Sequence, residues 1–164
     1  MSERPRAVQT QPLETLGLDH AERGVLAIAR HYCVAFAEPR TEGWRMAIAE
    51  GLDRFGSETG PHLAVATLAV IQGLRESRQS PFSFNSPACI NCSRHATPTE
   101  RALLSVIRAA RRGDLPAARA HALLLCEGNP PDTLVAAAAD LASRLGALPA
   151  GRATGSPVEA TRPS

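Results

Sequence analysis

Apolar residues recur along most of this chain at the three- and four-residue spacing of an α-helix, and residues 82–100 interrupt that rhythm. The first periodic stretch opens at Asp19. Glu22, three residues on, completes a capping box, in which side chain and backbone of the two residues satisfy each other's free N–H groups. Val25, Ile28, Ala29, Tyr32 and Phe36 then form one buried stripe, with Cys33 on its flank beside Leu26 and His31 on the opposite, arginine-bearing side. Pro39 ends the helix. Thr41 caps a second one through Trp44, Ile48, Leu52 and Phe55, which stops at Gly56; Trp44 reads as a core or groove residue. Gly60 and Pro61 start a third, over 63–78, apolar around most of its first half and therefore expected at the centre of the molecule.

The sequence Thr97-Pro98-Thr99-Glu100 places a cap, a first-turn proline and a third-position glutamate directly before the buried face Leu103, Leu104, Ile107 and Ala110. Gly113-Asp114 separates this fourth helix from a fifth over 115–127, which ends at Gly128-Asn129-Pro130-Pro131. Asp132 or Thr133 opens the sixth, with Leu134, Ala138, Leu141 and Leu145 inward and Gly146 at its end. The expected fold is all-α: one compact bundle of about six helices over 17–146. A flexible tail is expected over 1–16 and a disordered Gly/Pro/Ser/Thr/Arg-rich tail over 147–164. The long irregular loop, about 80–96, would fold over the bundle, with Phe82 and Phe84 as its apolar anchors.

Composition agrees with close-packed helices. Hydrophobic residues make up 44% of the 164 but aromatics only 4%, so the apolar content is mostly Ala, Leu and Val. The 18 basic residues are all arginine, a coding-bias pattern, and the net charge of +2 is too small to mark the whole chain as a nucleic-acid binder. The N-terminus lacks the apolar segment of a secretory signal, and no apolar run approaches the roughly 20 residues needed to span a bilayer. The expected location is the cytoplasm, with no membrane partner. There, thiols stay reduced and paired cysteines lean toward metal binding.

The candidate chemistry is in the loop. Cys89-x-x-Cys92 has the spacing at which two thiolates chelate one tetrahedral ion, and its Asn, Ser and Pro flanks suit a tight turn. Two more ligands would complete a structural zinc site: Cys126 at the end of the fifth helix, and Cys33 from the first or, alternatively, His95 just beyond the pair. Cys33 and Cys126 read equally well as small buried hydrophobes. A reversible disulfide or an iron–sulfur cluster at Cys89/Cys92 is the second reading, the cluster being the weaker of these. Haem attachment is set aside because Ser93, not His, follows Cys92, and a thioredoxin-type dithiol because no βαβ pattern surrounds it. Zinc-binding anti-sigma domains are similar in being small and helical, but the His that precedes their CxxC pair is replaced here by Asn85.

Residues 94–119 carry six arginines against Glu100 and Asp114. The run 97–104 resembles the opening of a LuxR-type helix-turn-helix, which implies DNA binding through Arg108, Arg111 and Arg112. The second helix of that motif is not recognisable in 115–127, so a solvated helix face is the better reading. No phosphate loop, Ser-His-Asp set or carboxylate pair assembles. The expectation is therefore a non-catalytic regulatory or protein-interaction domain, with another protein as partner and a CxxC loop ordered by metal, zinc first.

Overall fold

A computed structural model describes residues 9–146. The order of elements is a two-residue strand β1 (Gln11–Pro12), a 3-10 turn (Leu13–Leu16), α1 (His20–Ala37), α2 (Gly43–Ser77), a one-turn α3 (Ile90–Ser93), β2 (His95–Ala96), α4 (Pro98–Arg111), α5 (Leu115–Leu125) and α6 (Asp132–Gly146). The architecture is mostly all-α, as the periodicity predicts, with a minimal two-stranded sheet.

The helix starts follow the capping chemistry. Asp19 caps α1 and Thr97 caps α4, each with its glutamate reaching back to complete the box, and Asp114 accepts the Ala117 N–H at the start of α5. The second and third expected helices form one helical stretch, α2, broken at Gly56, whose φ of 77° and ψ of 172° suit only glycine. The two arms meet at close quarters, with Gly51 and Gly60 in backbone contact. The count of six is thus reached differently, because α3 lies inside the stretch expected to be irregular.

The core is continuous. Val25, Ile28, Ala29 and Tyr32 of α1 meet Leu63, Ala64, Val70 and Ile71 of the second α2 arm, which packs on α6 through Leu134, Ala138 and Leu141. Leu103, Val106 and Ile107 of α4 extend it toward α5 and α6. The second α2 arm is central, as its apolar circumference requires. Trp44 is not in the core: it is exposed, as is Leu52, and the first arm buries Ala47 and Gly51 instead.

The 1–16 tail reading is corrected over its described part. Gln11 and Pro12 pair antiparallel with Ala96 and His95, and the Leu13 N–H donates to the Arg94 carbonyl. Leu13 and Leu16 pack on a small cluster of Leu18, Leu26 and Leu104. Residues 1–8, and the 147–164 segment read as disordered, lie outside the described residues. No helix among the described residues is long and apolar enough to cross a membrane.

Candidate functional site

The loop between α2 and α4 is held by a buried ion pair that joins α1 to the α4 cap. The Arg30 Nε donates to Glu100 Oε1 at 2.7 Å and its Nη2 to Oε2 at 3.0 Å. Both side chains are almost wholly buried, 5% and 1% exposed. Burying two charges costs several kcal/mol per ion unless the geometry is good and the remaining donors and acceptors are filled. Here they are filled, and by the loop itself. Arg30 also donates to the carbonyls of Ser93 and His95. Glu100 accepts the Asn85 N–H on Oε1 and the Thr97 N–H on Oε2.

Around this pair the loop closes further. The Asn85 side-chain amide donates to the His95 carbonyl at 2.7 Å, and the hydroxyls of Thr97 and Thr99 both donate to the Ser83 carbonyl. Glu127 accepts the backbone N–H groups of Gln79 and Ser80 at the loop's start. Phe82 and Phe84 are half-buried against the core, the anchoring role their alternation predicts.

This framework presents the cysteine pair at the surface. Cys89 caps α3, its Sγ accepting the Cys92 N–H, and the two sulfurs form a disulfide with a Cα–Cα distance of 5.2 Å. Cys92 is exposed, and Ile90 beside it is 74% exposed.

The four-ligand set expected for zinc is not brought together. Cys33 is buried on α1, and Cys126 is fully buried as the C-cap of α5; both are free thiols in the core. The His95 Nδ1 lies 3.1 Å from the Asn91 carbonyl. Among the described residues no three His, Cys, Asp or Glu side chains converge as a metal site. The physical reason is position: α1 and α5 turn their cysteines into the apolar core, while α3 turns Cys92 toward solvent. Burial pushes the Cys33 thiol up to about 12, with the Glu100 charge acting in the same direction against Arg30 and Arg75. Burial also raises Cys126, against a hydrogen bond from Ser77.

The arginines of the DNA-binding alternative are largely committed within the chain. Arg108 donates from Nε and Nη2 to the Glu22 carboxylate and to the carbonyls of Leu16 and Gly17. Its guanidinium is held above its ordinary value chiefly by the Glu22 hydrogen bonds. Arg111 pairs with Asp19 at 2.7 Å and with Glu22 at 3.3 Å, while Arg112 is exposed. Burial acts to raise the Asp19 carboxyl, but the Glu22 N–H and Arg111 hold it below the usual carboxylate range. Replacement of Arg108 by glutamine is expected to destabilise the fold by about 1–3 kcal/mol, because Glu22 is left buried and short of its partner. The loss should appear first as faster amide exchange in residues 11–18; unchanged exchange there would show that Arg108 does not tie the N-terminal segment down.

Comparison with protein-family models, curated proteins and solved structures finds no match. The reading of this site therefore rests on its own geometry. The sequence did not point to its hub. Arg30 falls on the side of α1 that reads as solvated, and Glu100 reads only as a cap.

Proposed function

We propose that this chain is a non-catalytic regulatory or protein-interaction domain, and that its partner reads the α3 loop in a state set by the Cys89/Cys92 redox couple. The observation that carries the reading is a disulfide at an exposed turn on a loop rigidly pinned to the bundle by Arg30 and Glu100. A thiolate attacks a disulfide in line, so exposure of a sulfur governs the rate. Cys92 is the accessible one.

The chemistry is thiol–disulfide exchange. In the oxidising direction, one thiolate of the Cys89/Cys92 dithiol displaces a thiol from glutathione disulfide, forming a mixed disulfide. The second cysteine then displaces the remaining glutathione. Two electrons and two protons pass from the protein to the glutathione pair, leaving an intramolecular S–S bond. Ile90, between the two cysteines in sequence, and Arg94, two residues beyond Cys92, are both exposed and give a partner an apolar and a cationic contact.

The test is a thiol count across glutathione buffers. Reduced native protein should show two fast thiols, oxidised native protein none, and the unfolded reduced chain all four cysteines. Cys33 and Cys126 stay silent until unfolding because burial keeps them protonated and inaccessible. The fast pair should vanish together at one midpoint potential. A pair that cannot be oxidised by excess glutathione disulfide, or a stoichiometric metal in protein purified without added metal, would overturn the redox reading; the second result would return the pair to zinc or an iron–sulfur cluster.

A further inference from the structure

Beneath the loop is a cavity of about 320 Å³ that neither the cysteine pair nor the ion pair uses. Its apolar wall comes from Phe36 of α1, Ile71 and Leu74 of α2, and Phe82 and Phe84 of the loop, with Cys33 as its sulfur. Its charged wall is Arg75 and Arg78, and among the described residues no acidic side chain lines it. The geometry points to a binding site for a small free carboxylic acid with an apolar body. Ligand pockets are commonly a few hundred Å³, mostly apolar, with a few polar groups that fix orientation. A cavity of about 150 Å³ lined by aliphatic and aromatic side chains holds a benzene ring, so this one has room for a ring or a medium-length chain plus a head group.

Charge selects the head group. Arg78 donates from Nη1 to the Leu125 carbonyl at 2.6 Å and lies 3.4 Å from the Glu127 carboxylate. Arg75 stacks on the Phe36 ring with its guanidinium carbon 3.8 Å from the centroid, and no described carboxylate pairs with it. Glu127 offsets one of the two cations, which leaves a single positive charge. A monoanion matches that charge. A carboxylate also fits the planar guanidinium fork and is cheaper to desolvate than a doubly charged phosphate. Because Phe82 and Phe84 belong to the loop, a bound acid braces the loop from below, whatever the redox state of the cysteines.

The test is titration calorimetry of the full chain with octanoate, 4-phenylbutyrate and the uncharged octanol. Octanoate should bind one-to-one with a Kd on the order of 0.1–1 mM, in keeping with a ligand of its size. Octanol should bind at least tenfold more weakly. Arg75→Gln should weaken octanoate about tenfold and leave octanol unchanged. Ala37→Phe, at an exposed residue of the cavity lining, should abolish binding of both while the ligand-free melting temperature stays that of the parent. Absence of saturation with either acid at 10 mM overturns the site. Octanol binding as tightly as octanoate overturns the carboxylate, and an Ala37→Phe protein that binds like the parent places the ligand elsewhere.

Discussion

Replacing Arg30 with methionine is expected to destabilise the protein by about 3–5 kcal/mol, the cost of leaving a buried charge without its partner. Domains of this size are stable by about 5–15 kcal/mol, so the change removes about a fifth of the margin or more. Methionine keeps the bulk and the apolar stem of the side chain but supplies none of the four hydrogen bonds. Glu100 would lose both of its Arg30 contacts, and the carbonyls of Ser93 and His95 would lose their donor. The damage should be directional. Amides over 83–97 should exchange faster than those of α6, because the lost bonds are the ones that hold the loop, whereas α6 packs on α2 and α4. Equilibrium denaturation gives the magnitude and amide exchange the location. A double variant, Arg30→Met with Glu100→Gln, should recover part of the loss, since the unpaired charge is gone and glutamine still accepts the Thr97 N–H. A single-variant cost below about 1 kcal/mol would mean that the pair is effectively solvated and the loop is held by other means.

The ion pair also shows where sequence reading reaches its limit. Helix starts were legible because their chemistry is local. Asp19 with Glu22, and Thr97 with Glu100, lie three residues apart and form capping boxes in the fold. The central α2 arm was legible because its apolar residues cover most of its circumference. Arg30 was not, because an arginine on a helix is normally solvated, and the partner that makes burial tolerable stands 70 residues away. Glu100 was seen in one of its two roles. Separation along the chain also hid the N-terminal segment: a two-residue strand has no periodicity, and its partner is at His95 and Ala96.

Cys33 and Cys126 illustrate a different ambiguity. A cysteine on the flank of an apolar stripe serves equally as a ligand or as a small hydrophobe, and the helical wheel does not say what faces it. The fold buries both in the core, so the chemistry that remains at the surface belongs to Cys89 and Cys92 alone. The loop therefore couples three things through few residues. Its ends are tied by Glu127 and Thr97, its middle by Arg30 and Glu100, and its underside by two phenylalanines that also roof a cavity. A partner at Ile90 and Cys92 would sense a change in any of them.

Substitution of Gly60 by alanine is expected to be about as damaging as a core truncation, although it adds only a methyl group. A Cβ at Gly60 would meet the carbonyl oxygen of Gly51, lie 2.5 Å from the Gly51 carbonyl carbon and lie 2.8 Å from the Leu52 nitrogen. A Cβ at Gly51 would in turn lie 2.7 Å from the Gly60 carbonyl oxygen. These are backbone atoms, so no side chain can rotate away and the two arms of α2 must separate. Alanine gains about 1 kcal/mol of helix propensity over glycine, but overpacking of this kind costs about 1–3 kcal/mol and more where backbone must move. The clash wins, with a net loss of about 2 kcal/mol or more by denaturant titration. Gly56→Ala should also destabilise, by about 1–3 kcal/mol, because its φ of 77° with ψ of 172° is a glycine conformation although open space surrounds it. A Cβ at Gly146 meets nothing within 4 Å among the described residues, so Gly146→Ala serves as the clash-free reference. If Gly60→Ala behaved like Gly146→Ala, the close crossing of the arms would be wrong. The turn at Gly56, read from the sequence as a stop and a start, would then be a looser hinge.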